Sequence, residues 1–303
     1  MLKNVNITHN TRLSVLYALQ YYSIFDYPLK AEEIFQNAPH HCTLSDIIIA
    51  IDELETENKI FAYEGYYTLT PDVAALVYRR KKGNALARIQ EVSAYKTGSF
   101  IYKFPFVRFV GISGSLSKGY ADEHSDFDFF IITDKNRLWI CRTLLHLYKK
   151  LTFITGRQHM YCMNYFIDTE RLQLQEQNRF TAVELSTMMP VAGNAVYNYF
   201  IKANKWVAAY APNKYYTLHA GSMEKQRPVL KKVAERIINL CIPTRVNCWL
   251  MKLTDGKWRK KWSKKNYPPE DYDLAFKTTL HVSKNHPANH QKRILACIRR
   301  FGI

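Results

Sequence analysis

The sequence lacks any stretch approaching about 18 uncharged apolar residues, which excludes a membrane-spanning helix. It also lacks a paired-cysteine signature. The six cysteines, at positions 42, 141, 162, 241, 248 and 297, are scattered with no CxxC spacing. In a chain of 303 residues that pattern points to reduced thiols and away from structural zinc or a disulfide framework. Between Met1 and Phe25 the apolar residues are interrupted by Asn, Arg, Gln and Ser, and no small-residue cleavage site follows, so no signal peptide is expected. Internal repeats and low-complexity tracts are missing too. Together these absences set the expectation of a soluble cytoplasmic protein that makes no use of a membrane.

Negative charge is scarce: 26 acidic against 43 basic side chains, a net charge of +17. The excess is unevenly spread. Residues 11–70 hold three basic and nine acidic side chains, whereas residues 224–303 hold 19 basic and six acidic, or +13. A positive field of that kind attracts polyanions, so the C-terminal quarter is a candidate polyanion contact as well as a solvated basic surface. Apolar content of 47%, with 21 Tyr, 16 Phe and 5 Trp, supplies material for real cores and excludes a disordered chain.

Helical spacing over 12–22, a short helix over 30–37, and Thr43 capping a third helix that runs to about Asn58 precede a hairpin pattern around Glu64-Gly65. Three helices and a two-stranded wing resemble a winged helix-turn-helix domain. The third helix carries Asp46, Asp52, Glu53, Glu55 and Glu57 with no Arg or Lys before Lys59, so duplex DNA would be repelled and a protein contact is favoured. A connecting helix with the basic cluster Arg79-Arg80-Lys81-Lys82 follows. Apolar strands are expected at 107–112, 127–133 and 161–167, with an amphipathic helix over 137–152. From Thr181 onward the pattern reads as helical, and Thr181-x-x-Glu184 fits a capping box. The expected division is 1–70 winged-helix-like, 71–99 connecting helix, 100–175 an α/β (α+β) core with a short mixed sheet and helices on one face, and 176–303 a basic helical domain.

The chemistry concentrates between the first two core strands. Gly114 after a strand allows close backbone approach to a phosphate, and Ser115 adds a hydroxyl donor. Gly119 permits a turn. Asp126 and Asp128, one residue apart on an extended segment, share a face; two adjacent carboxylates call for a cation between them, which suits Mg²⁺. Ser117 and Lys118 lie where side chains could reach β- and γ-phosphates.

The stretch GSLSKGYADEHSDFD, residues 114–128, matches GSxxxGxxxxxSDxD at Gly114, Ser115, Gly119, Ser125, Asp126 and Asp128. It resembles the DNA polymerase beta-like nucleotidyltransferase superfamily, most closely its minimal and aminoglycoside-type members. The resemblance covers about residues 105–170. It implies Mg²⁺ (or Mn²⁺) at Asp126 and Asp128, a triphosphate held by Gly114, Ser115, Ser117, Lys118, Gly119 and Ser125, and transfer of a nucleoside monophosphate from an NTP to an acceptor hydroxyl. One position departs from the family pattern. A third carboxylate is usual on the next strand, where this chain has Asn164, which cannot act as a base at neutral pH. Asp168 shares its strand parity but lies about 13 Å further along; it, Glu170 or Asp122 could substitute if the chain bends.

Other residues carry two readings each. His124 could touch a phosphate or be a solvated loop histidine. His281, His286 and His290 lack a visible partner for a zinc set. Trp258 and Trp262, four apart in the basic segment 252–265, suit either stacking on nucleic acid or packing on a core. Three functional expectations follow: a nucleotidyltransferase whose acceptor could be RNA, protein or a small molecule; a non-catalytic nucleotide sensor or partner-binding module; and a toxin-like enzyme modifying RNA or protein.

Overall fold

The computed structural model describes residues 2–123, 125–152, 158–215 and 228–300. The first third follows local signals closely. Helices α1 (Leu2–Ser23), α2 (Ala31–Asn37) and α3 (Leu44–Thr56) bury one face each, with Val15, Leu19 and Tyr22 meeting Ile34 and Ile47, Ile51 and Leu54. Thr43 caps α3: its hydroxyl accepts the Asp46 N–H at 3.1 Å while Asp46 accepts the Thr43 N–H at 2.9 Å. Strands β1 (Phe61–Tyr63) and β2 (Tyr66–Thr68) pair antiparallel about Glu64 and Gly65, both at positive φ, the backbone that a two-residue hairpin turn requires.

Helix α4 (Val73–Ile101) then ties this unit to the rest, and the basic cluster supplies the ties. Arg79 pairs with Asp26, Arg80 with Glu33, Lys81 with Glu64 and Lys82 with Glu123. Arg80 is buried and stacks on the Tyr27 ring at 4.2 Å, so its charge is spent inside the protein. The N-terminal core is completed by Val183, Ile294 and Ile298 from far downstream. No such closure is visible in the sequence of residues 1–70 alone.

The centre is a five-stranded mixed sheet in the order β6-β3-β4-β5-β7. Strands β3 (Val107–Ile112) and β4 (Asp128–Thr133) run antiparallel, β4 and β5 (Cys162–Asp168) parallel, and both edge strands antiparallel to their neighbours. Every residue of β3 is buried. The expectation of helices on one face is corrected here, because both strand parities are apolar and both faces must be covered. Phe129 and Ile131 face α4 and α5 (Leu138–Thr152); Phe130 and Ile132 face α6 (Arg179–Thr187) and α7 (Asn194–Ala203).

The helical expectation beyond Thr181 is also corrected. Met189–Ala192 forms β6 and Val282–Lys284 forms β7, so residues beyond 175 supply both edges of the sheet. Strands of four and three residues are too short for a period to show, and Pro190 fits an edge, where a missing N–H goes unnoticed. Helices α8 (Pro212–Tyr215), α9 (Val229–Cys241), α10 (Arg245–Ser263), α11 (Pro269–Ala275) and α12 (His290–Arg300) complete the chain. On α10, Trp262 stacks on Phe276 at 4.9 Å and Trp258 lies 4.7 Å from the Arg142 guanidinium, so both rings are taken up by packing. Among the described residues, no helix is long and apolar enough to cross a membrane.

Lys231 of α9 is buried and donates to the carbonyls of Tyr102 and Val107 at 2.5 and 2.6 Å. Lys231→Ala removes two charge-assisted bonds in a closed site, and urea denaturation is expected to show a loss of about 3 kcal/mol. A loss below about 1 kcal/mol would mean the two carbonyls find other donors.

Candidate functional site

The loop leaving β3 is built around two glycines. Gly114 has φ +68°, and a Cβ there would overlap Oδ2 of Asp128, so the bare backbone lies directly on that carboxylate. The Ser113 N–H donates to the Asp128 carbonyl at 2.9 Å, which fixes the loop to the start of β4. A single 3₁₀ turn over Leu116–Lys118 is closed by Gly119 at φ +71°. The Ser117 hydroxyl donates back to the Gly114 carbonyl at 2.9 Å. Lys118 Nζ donates to the same carbonyl at 2.9 Å and to Glu184 Oε1 at 2.8 Å.

A cavity of about 470 Å³ opens here, lined by Gly114, Ser115, Lys118, Asp128 and Asn164 among others. Its other walls come from three distant segments: Tyr22, Phe25 and Tyr27 near the end of α1, Glu184 and Met188 at α6, and Lys284 at the end of β7 with His286 and His290 after it. Tyr27 donates its hydroxyl to the Lys118 carbonyl at 3.4 Å, so the N-terminal helices wall the cavity.

Burial pushes the Asp128 carboxyl up to about 6, and the nearby charges of Glu184 and Asp126 push the same way. A hydrogen bond with Cys162 and the charge of Lys118 oppose this without winning. Close to Asp128, two further carboxylates, Glu184 and the exposed Asp126, act against one lysine, Lys118, and a local carboxylate set of this kind suits a divalent cation such as Mg²⁺, although Arg79 and Lys284 also line the cavity.

Not every residue of the motif faces the cavity. Asp126 is exposed and precedes β4. Ser125 closes its own turn, accepting the Asp122 N–H at 2.8 Å and donating to Asp122 Oδ1 at 2.9 Å. Ser117 and Gly119 shape the loop. His124 lies outside the described residues. Asn164 sits at a bulge one step from Asp128, and its amide donates to Cys162 Sγ at 2.8 Å.

Asp168 is not brought to the cavity. It pairs with Thr133, whereas Asp128 pairs with Cys162 at the opposite end of β4. Fully buried, Asp168 accepts the N–H groups of Glu170 and Arg171 and lies 3.0 Å from His281 Nδ1. The ligand atoms of Asp168, Glu170 and His281 lie within 4.8 Å of one another, so this second group could also hold a metal ion. The three histidines therefore part company. His281 serves that group, while His286 lines the cavity with its imidazole held neutral, its pKa pushed down to about 4 by burial and then by Lys284.

Glu184 is the residue that sequence reasoning missed. Thr181-x-x-Glu184 looks like a capping box, but the cap of α6 is Asn178, whose side chain accepts the Thr181 N–H at 3.0 Å. Glu184 is freed from that duty and reaches Lys118 across 66 residues. Compared with protein-family models, with curated proteins and with solved structures, the chain matches none.

Proposed function

We propose that the protein is a metal-dependent nucleotidyltransferase acting on an NTP. The observation that carries this reading is the contact between Gly114 and Asp128: a glycine with no side chain to hold a phosphate away, pressed against a half-buried carboxylate with a raised pKa, both lining a cavity large enough for a nucleotide. Asp128 with Asp126 would hold Mg²⁺ or Mn²⁺, which when bound supplies charge neutralisation for the triphosphate and its leaving pyrophosphate. Gly114 and Ser115 offer backbone and hydroxyl donors to phosphate oxygens. Lys118 meets the β/γ charge by releasing Glu184, an exchange of one anionic partner for another. The N-terminal winged-helix-like unit serves as a wall and a protein contact, because the acidic side chains of α3 face outward and Arg12 is already paired with Glu53 and Glu57.

A second reading, a nucleotide sensor, is favoured by Asn164 in the cavity where a carboxylate base would be useful. The two separate experimentally. Purified protein incubated with each α-labelled NTP, Mg²⁺ or Mn²⁺ and total RNA is expected to transfer label slowly, because positioning and charge stabilisation dominate this class of barrier. Asn164→Asp is expected to keep or raise that rate. Tight NTP binding with no label on any acceptor, and no gain from Asn164→Asp, would favour the sensor.

A further inference from the structure

Helix α9 presents its sides in reverse. At about 100° per residue its side chains fall into three stripes. Lys231, Glu235 and Ile238 face the protein: Lys231 bonds the Tyr102 and Val107 carbonyls, and Glu235 accepts from the Arg108 guanidinium at 2.6 Å and the Phe106 N–H at 2.7 Å. Val229, Leu230, Val233, Ile237 and Leu240 fill an arc of about 100° on the opposite side, and all five are exposed. Leu230 and Leu240 are 83% and 87% exposed, so they project from the surface. Lys232 and Arg236, both exposed, run down one flank. An amphipathic helix of a soluble protein ordinarily buries its apolar stripe. This one is pinned by its polar stripe and offers the apolar one outward.

The segment that carries that ridge and the helix after it are strongly basic. Residues 229–265 hold 11 Lys or Arg and two acidic side chains, Glu235 and Asp255. Glu235 is consumed by Arg108 and Asp255 by Arg259. Exposed cations remain at Lys232, Arg236, Arg245, Lys252, Lys257 and further along α10, and Trp249 is exposed on the same helix.

We infer that α9 is a docking ridge for an anionic lipid bilayer surface, a peripheral contact that reverses the expectation of no use of a membrane, which rested on the lack of a spanning helix. Five protruding aliphatic side chains need an apolar cover, which a nucleic-acid backbone does not give. A second copy of the same ridge would bring like charges together. An anionic bilayer supplies both requirements at once, acyl chains for the aliphatic arc and acidic headgroups for the flanking Lys and Arg. Ridge shape points the same way, since projecting leucines enter a deformable fluid without a preformed groove. Exposed Trp249 is the residue type enriched at such interfaces.

The test is co-sedimentation of the full chain with phosphatidylcholine vesicles, with and without about one third phosphatidylglycerol. The protein is expected to sediment with the anionic vesicles at low salt, to remain in solution with the neutral ones, and to be released progressively by added salt. Leu230→Asp combined with Leu240→Asp is expected to lower the partition at least about tenfold, with melting temperature and circular dichroism unchanged because both side chains are exposed. Wild-type protein left in solution with anionic vesicles overturns the proposal. Undiminished binding of the leucine double variant also overturns it, since lysines alone would then account for the attraction. So does a dimer in light scattering that the leucine variant dissolves without any vesicle binding. None of these readouts depends on nucleotidyl transfer.

Discussion

Asp128→Asn is expected to raise the melting temperature of the metal-free protein at pH 7.5 by roughly 3–5 °C while abolishing stabilisation by Mg²⁺ with NTP. The carboxyl has a pKa of about 6 in the fold against 3.8 ordinarily. Its folded form therefore binds the proton more tightly than the unfolded chain does. Below pH 4 the group is protonated in both states and contributes nothing. As pH rises towards 6 the unfolded chain ionises first, stability falls, and above 6 the whole penalty, about 2–3 kcal/mol, is present. Asparagine keeps the shape and removes the charge, so the difference between variant and wild type should be near zero at pH 4 and grow to its full value by pH 7. Paired thermal melts across that range measure it directly. A flat difference would show that Asp128 carries no unbalanced charge, and the cation reading of the cavity would lose its main support.

The largest loss of stability is expected from Gly193→Ala. Gly193 opens α7 immediately after β6, with φ +95°, and a Cβ there would overlap the Arg108 carbonyl oxygen and crowd Phe109 Cα. Both obstacles are backbone atoms of β3, an inner strand that cannot retreat without breaking its ladder. Adding the strained backbone to that overlap, urea denaturation should show a loss of about 4 kcal/mol or more, or no folded protein at all. Gly114→Ala is the instructive comparison. Its obstacle is the Asp128 side chain, which can rotate away, so the fold should persist at a cost of about 1–2 kcal/mol. Displacing Asp128 should nevertheless remove metal-dependent nucleotide binding, measured by calorimetry. If Gly193→Ala proves milder than Gly114→Ala, the ranking of rigid against yielding obstacles is wrong.

The carboxylate inventory divides along the same line of local against distant. Asp128 is legible because the Gly-Ser loop and the strand that follow one another in the chain bring it to the cavity, whereas Asp126, two residues before it, stays exposed outside the lining. Glu184 is not, because nothing within a turn of it mentions Lys118. Asp168 is misleading, since strand parity favours it while register carries it to the far end of β4. Parity is a local property; register is set by what else the sheet must pair and cover.

Legible from the chain alone are therefore the strongly marked pieces: the Thr43 cap, the Glu64-Gly65 hairpin, the apolar strands β3, β4 and β5, and the Gly114–Asp128 loop. Each rests on hydrogen bonds and side-chain periods completed within a few residues, so neighbours in the chain suffice to encode it. Long-range packing is what makes residues 189–192 and 282–284 sheet edges, spends the Arg79-Arg80-Lys81-Lys82 cluster on ion pairs, packs Trp258 and Trp262, and holds α9 by its polar stripe. Those outcomes depend on which unpaired carbonyls, strand edges and buried charges the rest of the chain leaves to be satisfied, and a distant partner, 52 residues off for Arg80 and 129 for Lys231, leaves no mark on the residues beside it.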